Sequence, residues 1–291
     1  MNPKTWTVLE LINETAQYFK KYNIDNPRLN IERILEDVLK LKRIELYLNF
    51  DRPIANAEIE IIRAMVRKRS QHIPLYYILG HAPFINWDFK VGPSVLIPRP
   101  ETELLVERVK VLSEKINASY FNILDIGTGS GCIAICLAKL IANISVTAID
   151  KSKEALIFAE ENARLLEVEN KIKFLCLDIT SDININLQGA PFSIIVSNPP
   201  YIKHDELKTL AEEIKYEPQS ALDGGTDGLD FYRIIIKKYT SYLAHGGYLV
   251  LEIGCDQGPL IQELIKEENN SISCEIYKDY QGLDRIVIAG Y

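Results

Sequence analysis

The first part of the chain carries apolar residues at helical spacing. Over residues 5–71, apolar positions recur at intervals of three and four, as on the buried face of an amphipathic helix. Asn26 and Pro27 interrupt this pattern, as do residues 51–53. The pattern predicts a small all-α N-terminal domain over residues 1–75.

Residues 72–98 have a different character, because aromatic and β-branched residues replace the helical pattern. Gly80, Gly92 and several prolines divide this stretch into short segments. Short β-prone segments separated by turn residues are typical of a hairpin. We therefore predict a β-hairpin linker over residues 76–98.

Beyond Pro100 the pattern alternates between strands and helices. Helical stretches are predicted between the first five strands, which favours an α/β fold: a doubly wound, mostly parallel seven-stranded sheet over residues 99–291. The connection between the last two strands is too short for a crossover helix, so they should pair antiparallel. The predicted strands are residues 121–127, 145–150, 171–178, 192–198, 246–254, 272–277 and 284–291.

Composition is that of an ordinary globular protein, with 47% apolar and 25% charged residues. No apolar run approaches the roughly 18 residues that a membrane span requires, and the N-terminus lacks the features of a signal or transit peptide. These features predict a cytoplasmic protein without a membrane partner.

The five cysteines are an odd number and lie mostly in apolar segments, so we expect reduced core residues. Cys132 and Cys136 have helical spacing, but no second Cys or His pair lies near them in the sequence. We therefore expect no metal site.

Charge is unevenly distributed along the chain, whose net charge is −7. Residues 1–80 contain 13 Lys and Arg against 10 Asp and Glu, so the remainder carries a net charge of −10. An acidic major portion argues against a duplex-DNA groove, because DNA affinity depends on phosphate neutralisation. No direct nucleic-acid partner is expected.

The first predicted strand of the sheet runs into a glycine-rich turn, DIGTGSG at residues 125–131. Such a turn between strand and helix lets the backbone approach a ligand at the carboxyl edge of the sheet. The spacing differs from the GxGxxG dinucleotide fingerprint. The candidate cofactor-binding residues are Asp125, Gly127, Thr128, Gly129 and Gly131.

Acidic residues also follow the next two predicted strands. Asp150 is placed to accept hydrogen bonds from ribose hydroxyls, and Asp178 lies where an adenine amino group could donate. Three acids at neighbouring strand ends gather negative charge that a ligand with hydroxyl groups, an amino group and a cation would relieve. S-adenosylmethionine has all three. Taken singly, a tight turn or a helix cap would explain each feature.

The fourth predicted strand ends in Asn198, Pro199, Pro200 and Tyr201. The prolines lack backbone donors and leave carbonyls free to accept, Asn198 adds a side-chain acceptor, and Tyr201 adds a flat face. Two acceptors beside a plane describe a clamp for a planar NH2 group, whose nitrogen would attack a sulfonium methyl. A stiff turn that simply ends the strand is the alternative.

Together these motifs make the sequence resemble the bacterial protein-glutamine N5-methyltransferases that modify peptide-chain release factors, within the class I S-adenosylmethionine-dependent fold. The resemblance spans nearly the whole chain. NPPY alone is shared with adenine-N6 methyltransferases of nucleic acid, whereas IPRPETE and YEPQSALDGGTDGL are much more specific. The motifs are IPRPETE (97–103), DIGTGSG, NPPY, YEPQSALDGGTDGL (216–229) and GLDRIV (282–287).

The resemblance implies that Asn198, Pro199 and Tyr201 hold the glutamine amide and that Pro200 completes this substrate site. It implies cofactor binding by Gly127, Gly129, Asp150 and Asn198, with Asp178 at the adenine. Arg99 and Glu101 are expected to shape the substrate pocket, although a capped helix start is an equal alternative. The implied target is the glutamine in the Gly-Gly-Gln motif of release factors.

Other functions remain open at this point. Methylation of a ribosomal-protein glutamine uses the same chemistry, adenine-N6 methylation uses the same NPPY motif, and a non-catalytic adaptor would use the cofactor only as a signal. Family analogy assigns substrate recognition to the helical domain, although this domain could simply support the rest. A monomer is expected, because no coiled-coil heptad is present.

Overall fold

The computed structural model describes residues 5–116, 121–181, 187 and 189–291. The chain divides into two compact units. The first comprises the chain up to Gly80 together with Ala211–Tyr216, and the second comprises His81–Leu210 and Glu217–Tyr291. This division differs from the predicted one, which ended the helical domain at residue 75 and assigned residues 211–216 to the second domain.

The first unit is helical. Its amphipathic helices bury one continuous cluster that includes Ile12, Phe19, Ile31 and Leu35. Thr7 caps the first helix, since its side chain accepts from the Glu10 backbone N–H and its own N–H donates to the Glu10 carboxylate. The helices are α1 Val8–Lys21, α2 Pro27–Leu39, α3 Arg43–Leu48, α4 Asn56–Ser70 and α5 Leu75–Leu79.

A buried arginine joins the distant segment Ala211–Tyr216 to the helices of this unit. Arg69 is only 4% exposed, and its guanidinium contacts Asn30 Oδ1 at 2.7 Å and the Glu213 carboxylate at 2.6 Å. The Tyr216 hydroxyl donates to the Gln71 carbonyl at 2.9 Å. These contacts explain why six residues from far along the sequence belong to the first unit.

The second unit is an α/β structure, and its elements alternate along most of the chain. A hairpin of β1 and β2 precedes the strands and helices of the main sheet. The elements are β1 His81–Phe84, β2 Trp87–Lys90, α6 Pro100–Ser113, β3 Phe121–Ile126, α7 Cys132–Leu140, β4 Ile144–Asp150, α8 Lys153–Leu165, β5 Ile172–Cys176, β6 Phe192–Ser197, α9 Asp230–Ile234, β7 Leu243–Glu252, α10 Gly258–Glu268, β8 Ser273–Lys278 and β9 Asp284–Gly290.

Seven strands form the main sheet in the order β5-β4-β3-β6-β7-β9-β8. The first five pair in parallel, and β9 pairs antiparallel with both β7 and β8. The predicted fold class and the antiparallel pairing of the last two strands are therefore confirmed. The strand order reverses direction between β3 and β6, which is the point where ligands bind in such sheets.

Two connections differ from the predicted alternation. Between β5 and β6 the described residues form no helix, and residues 182–186 and 188 of that predicted helical stretch lie outside the described part of the chain. After β6 the chain first makes short 3₁₀ turns, at His204–Thr209, Ile214–Tyr216 and Gln219–Ala221. The helix α9 then continues as a π-helical turn, Ile235–Tyr239, and a 3₁₀ turn, Thr240–Tyr242.

The region predicted as a hairpin linker is partly helical and is more than a linker. Its first residues form α5, which ends at Gly80, a glycine with φ of +79°. The hairpin itself spans only residues 81–90. Phe84 and Phe89 belong to the larger core cluster of the second unit, so the hairpin is an integral part of that unit.

A fully buried asparagine on α8 ties the hairpin to the main sheet. Asn162 Oδ1 accepts from the Lys90 N–H at 2.7 Å, and Asn162 Nδ2 donates to the Lys90 carbonyl at 3.0 Å. The same amide nitrogen donates to the Ser130 carbonyl at 2.9 Å, beside the glycine-rich turn. One side chain therefore connects the end of β2, α8 and the turn after β3.

The expected burial of the cysteines is confirmed for two of them. Cys132 and Cys136 on α7 are buried, and burial raises the pKa of the Cys132 thiol to about 12. The core prediction is wrong for Cys176 and Cys255, which are exposed because one ends the edge strand β5 and the other lies in the turn after β7. Among the residues described here, no helix is long and apolar enough to cross a membrane.

Replacing Asn162 by Ala should lower the unfolding free energy of the second unit by about 2–4 kcal/mol, because buried backbone groups lose their partners. The chain has two tryptophans, so Trp87 in β2 reports this unit in a Trp6→Phe background. Urea unfolding followed by Trp87 fluorescence measures the loss. As a control, Glu161→Ala removes only the exposed ion pair with Lys90 and should change stability by less than about 1 kcal/mol.

Candidate active site

A cleft lies at the carboxyl edge of the parallel strands, where β3 and β6 run side by side. It contains about 770 Å³ of empty space, part of it open to solvent. Of the residues singled out from the sequence, those lining it are Gly127, Gly129, Asp150, Asp178, Asn198, Pro199 and Pro200.

The glycine-rich turn presents bare backbone to this cleft. Gly127 and Gly129 have φ of +73° and +56°, which glycine adopts without strain. A Cβ built on Gly127 would meet no atom within 4 Å, so the space in front of this residue is open. The Gly129 N–H donates to Asp150 Oδ2 at 2.9 Å, which fixes the turn against the end of β4.

Three residues of the same motif lie behind the turn and do not line the cleft. Gly131 begins α7 with φ of +82°, and a Cβ there would lie 3.1 Å from the Ala159 Cβ on α8. Its absence of a side chain therefore permits helix packing. Asp125 is fully buried and accepts from the Thr128 hydroxyl at 2.6 Å. Asp125, Thr128 and Gly131 therefore make structural contacts behind the turn, and their cofactor contacts stay a prediction.

Burial changes the charge state of Asp125. The pKa of this carboxyl is raised to about 7, chiefly by loss of solvent and also by the nearby Asp150 charge, against the opposing effect of the Thr128 hydrogen bond. The sequence places three carboxyl groups, those of Asp125, Asp150 and Asp178, at this edge of the sheet. Asp125 reduces the negative charge at this edge, because its raised pKa leaves it partly protonated near neutral pH.

The other two acids stay closer to solvent. Asp150 ends β4, and its Oδ1 accepts from the Ser152 N–H at 2.9 Å. Asp178 lies two residues beyond β5, where its Oδ1 accepts from the Thr180 N–H at 2.9 Å and from the Thr180 hydroxyl at 2.7 Å. These bonds lower the pKa of Asp178. Both carboxylates line the cleft with acceptor capacity remaining.

The NPPY motif continues directly from β6. The register places Ser197 beside Ile126, and the Ser197 hydroxyl donates to the Ile126 carbonyl at 2.8 Å. Asn198 Nδ2 donates to the Thr102 hydroxyl oxygen at 3.1 Å. Within the described part of the chain, no group donates a hydrogen bond to Asn198 Oδ1 or to the Pro199 carbonyl. Both acceptors therefore remain available at the cleft.

Tyr201 takes a different position from its three neighbours in the motif. Its side chain packs against the core cluster beneath the strand ends and does not line the cleft. Burial, reinforced by the Glu252 charge, raises the pKa of its hydroxyl to about 12. Its carbonyl accepts from Gln257 Nε2 at 3.0 Å. Tyr201 thus supports the motif from below in this structure.

One buried glutamate connects the two sequence-specific motifs on either side of the cleft. Glu217 accepts from the Ile97 N–H at 3.0 Å and forms an ion pair with Arg99. Arg99 is the N-cap of α6, and Pro100 is its first residue. Arg99 and Glu101 both lie at the start of α6 and do not line the cleft, and their part in the substrate pocket stays a prediction.

The glycines of the 216–229 segment pack against the NPPY motif. A Cβ on Gly224 would lie 2.8 Å from the Pro200 carbonyl oxygen, and one on Gly228 would lie 2.5 Å from the Tyr201 carbonyl oxygen. Backbone approach this close requires glycine. From the same segment, Pro218, Ser220 and Ala221 line the cleft, so it is part of the site rather than a mere connection.

Two residues that hold the motif in place, Thr102 and Gln257, and the buried acid Glu252 were not predicted as part of the site from the sequence. Glu252 ends the strongly apolar strand β7, just as Asp150 ends β4, but the sequence analysis did not single it out. Gln257 had no signal in the sequence, because its contacts with Tyr201 and with the Gly228 carbonyl depend on the folded loop.

Comparison with known proteins gives the family. The N-terminal region, residues 10–80, matches the PrmC N-terminal domain, and residues 101–229 match the Methyltransferase small domain. A release factor glutamine methyltransferase of Chlorobaculum tepidum is 41% identical over 97% of this chain and 96% of its own length. One of Geobacter sulfurreducens is 38% identical over 98% and 97%, respectively.

The chain belongs to the release factor glutamine methyltransferase family. The resemblance inferred from the motifs is therefore confirmed. Among solved structures, the hMettl16 catalytic domain has a TM-score of 0.54 at 14% identity and covers 81% of this chain and 84% of its own. At that identity the likeness bears on the fold alone, and it agrees with the methyltransferase sheet described above.

Asp125 should make the unfolding free energy of this family member decrease as the pH rises from about 4 to about 7. The unfolded carboxyl ionises near 3.8 and the folded one near 7, so the folded state binds the extra proton in between. Relative to wild type, Asp125→Asn should gain a few kcal/mol of unfolding free energy over that range, since one pKa unit corresponds to about 1.4 kcal/mol.

Urea unfolding at several pH values, followed by Trp87 fluorescence, measures this difference. Asp178→Asn is the matched control, because the pKa of Asp178 is lowered and its contribution is already complete above pH 5. A difference between Asp125→Asn and wild type that does not change with pH would contradict the buried, raised carboxyl.

Proposed function

We propose that this protein transfers a methyl group from S-adenosylmethionine to the side-chain amide nitrogen, N5, of the glutamine in the Gly-Gly-Gln motif of peptide-chain release factors. Membership of a family whose relatives carry that name supports the substrate class. The observation that carries the chemistry is the pair of uncommitted acceptors, Asn198 Oδ1 and the Pro199 carbonyl, at the edge of the cleft.

The cleft suits the proposed cofactor in shape and in donor chemistry. The open backbone at Gly127 and Gly129 leaves room for a bulky group against the turn. Asp150 would accept from ribose hydroxyls, and Asp178 would accept from an adenine amino group. When bound, S-adenosylmethionine supplies an electrophilic methyl group on a positively charged sulfur. Carboxylates nearby are the partners that such a cation and its hydroxyl groups require.

Asn198 and Pro199 would act on the substrate amide. Its two N–H groups donate to Asn198 Oδ1 and to the Pro199 carbonyl, which orients the nitrogen lone pair towards the methyl carbon. The bound donor would supply the methyl carbon and keep the electron pair of its sulfur–carbon bond. Positive charge developing on the nitrogen would be stabilised by Asn198 Oδ1 and the Pro199 carbonyl, and one N–H proton would pass to solvent water. Pro200 holds the Pro199 carbonyl in place, because its ring restricts the backbone.

The helical unit is proposed to recognise the protein substrate. Its surface carries apolar side chains on α3, where Ile44 is 64% exposed and Leu48 is 76% exposed. Lone exposed apolar residues are common, but neighbouring ones on a short helix favour a protein contact. The net charge of +3 over residues 1–80 would also favour an acidic partner surface.

Transfer of labelled methyl from S-adenosylmethionine to a purified release factor tests the function directly. The matched substrate has the glutamine of its Gly-Gly-Gln motif changed to alanine, and ribosomal proteins serve as the competing class. We expect label in the unmodified factor alone. Label in both forms of the factor would reassign the target residue, and label only in ribosomal protein would overturn the proposed substrate.

A pair of variants separates the clamp from the cofactor site. Asn198→Ala should lower turnover by about 100-fold, as loss of one stabilising group does in other active sites, while cofactor affinity measured by calorimetry changes little. Asp150→Ala should instead weaken cofactor binding by roughly 10-fold or more, because hydrogen bonds to a charged group are lost. Normal turnover in the first variant would refute the clamp, and unchanged affinity in the second would refute the ribose role.

A further inference from the structure

Two segments outside the sheet form walls of the cleft. The first wall, residues 94–99, lies directly before α6, and the second wall, residues 217–221, lies in the 216–229 segment. Four of the six lining residues that they contribute are apolar, so these walls favour the exclusion of water. The six residues are Ser94, Val95, Leu96, Pro218, Ser220 and Ala221.

A single buried carboxylate joins the two walls. The Glu217 side chain is 2% exposed, and its two oxygens have different partners in the first wall. Oε2 accepts from the Ile97 N–H at 3.0 Å, and Oε1 forms the ion pair with Arg99. Two donors in one segment fix the direction of the carboxylate as well as its position. Glu217, Ile97 and Arg99 together form the Glu217 clasp.

The second wall depends on this clasp for its link to the first. Within the described part of the chain, the second wall is hydrogen-bonded only to the two residues that follow it and, through Glu217, to the first wall. The residue directly after it is held separately, because the Leu222 carbonyl accepts from the Ile202 N–H at 3.0 Å. The clasp is therefore what sets the distance between the two walls.

Both walls also lead to the NPPY motif. The first runs into α6, where the Thr102 hydroxyl oxygen accepts from Asn198 Nδ2 at 3.1 Å. The second runs towards Gly224, where a Cβ would lie 2.8 Å from the Pro200 carbonyl oxygen. The Glu217 clasp thus closes a ring of contacts that contains both walls and the NPPY motif.

Tight packing alone does not require a charge at this position. Burying a carboxylate costs free energy, and an apolar side chain of similar size is often at least as stable. What a carboxylate adds is direction, because each of its oxygens must face a donor. The Glu217 carboxylate is therefore suited to fixing two segments in one arrangement.

We propose that Glu217 is a positioning residue for methyl transfer, which holds the two walls together and thereby keeps water from displacing the substrate amide at Asn198 Oδ1 and the Pro199 carbonyl. Water would compete for these two acceptors and weaken their hold on the amide. Glu217 does not itself line the cleft, so it acts through the walls. This inference rests on the proposed function for its reaction, although the clasp itself does not depend on it.

Glu217→Gln and Asp227→Asn form a matched pair of variants. Each replaces, within the 216–229 segment, a carboxylate that pairs with an arginine. Only the first joins the walls, since Asp227 pairs with Arg233 on α9 and its side chain is 48% exposed. Glu217→Ala removes both contacts of the clasp, whereas Glu217→Gln keeps an oxygen that can accept from the Ile97 N–H.

The first readout is methyl transfer to a release factor, with turnover and Michaelis constants measured separately. We expect Glu217→Gln to lower turnover by about 10-fold and Glu217→Ala by about 100-fold, with Michaelis constants within about 3-fold of wild type. Asp227→Asn should match wild type within about 2-fold, as an exposed ion pair contributes little. Wild-type turnover in Glu217→Ala, or a loss confined to the Michaelis constants, would overturn the proposal.

A double-mutant cycle separates the clasp from a direct contact of Arg99 with the substrate. Arg99→Met leaves the buried Glu217 carboxylate without its ion-pair partner and should lower turnover at least as much as Glu217→Gln. The two changes together should cost no more than Arg99→Met alone, because both break the same contact. Arg99→Lys keeps the charge and should fall between Arg99→Met and wild type. Losses that multiply in the double variant would contradict the clasp.

A second readout needs no substrate. Backbone hydrogen exchange is followed at one amide of each wall: Ile97, which donates to Glu217, and Ala221, which donates to the Pro218 carbonyl at 2.8 Å. Both should exchange about 10-fold faster or more in Glu217→Ala, and neither should change in Asp227→Asn. Should Glu217→Ala fail to fold, Arg99→Met with Glu217→Gln takes its place.

The two readouts separate failure of the clasp from failure of the proposed function. Unchanged exchange at Ala221 would overturn the clasp, whatever the substrate is. If wild type transfers no label to a release factor while exchange responds as expected, the proposed function fails and the link between the walls stands.

Discussion

The parallel pairing of β3 with β6 is the constraint on which the rest of the site depends. It places the ends of two strands, far apart in sequence, in adjacent positions, with Ile126 beside Ser197. A slip of one residue would turn every side chain of the strand to the opposite face of the sheet. The Ser197 hydroxyl, bound to the Ile126 carbonyl, strengthens this register at the point where both strands end. The glycine-rich turn and the NPPY motif therefore face one cleft.

The acids at this edge of the sheet differ in burial and therefore in their contacts. Asp150 and Asp178 reach the cleft, and each carboxylate accepts a hydrogen bond from a backbone N–H group. Asp125 and Glu252 lie underneath, and burial raises the pKa of each to about 7. The two exposed acids are suited to bind a cationic cofactor that carries hydroxyl groups. Of the two buried acids, Asp125 accepts a hydrogen bond from a hydroxyl of the protein itself, that of Thr128.

Much of the fold could be predicted from the sequence, because helix and strand periods, turn residues and short connections are local signals. The antiparallel pairing of the last two strands followed from the same signals, since the short link between β8 and β9 leaves no room for a crossover helix. The prediction was wrong at α5, where aromatic and β-branched residues form a helix. Such residues favour strands only weakly, and a terminal glycine with a left-handed conformation was enough to end a short helix instead.

The sequence by itself determined which chemistry this protein carries: a backbone turn without side chains, acids at strand ends, and an amide followed by two prolines. Each of these is a short motif whose meaning depends on residue type and spacing. Only the tertiary structure decided which members of a motif reach the cleft and which support it from behind, as Gly131, Asp125 and Tyr201 do. It also decided what holds Asn198, since Thr102 is 96 residues away along the chain. Contacts of that range arise from packing, which no local pattern encodes.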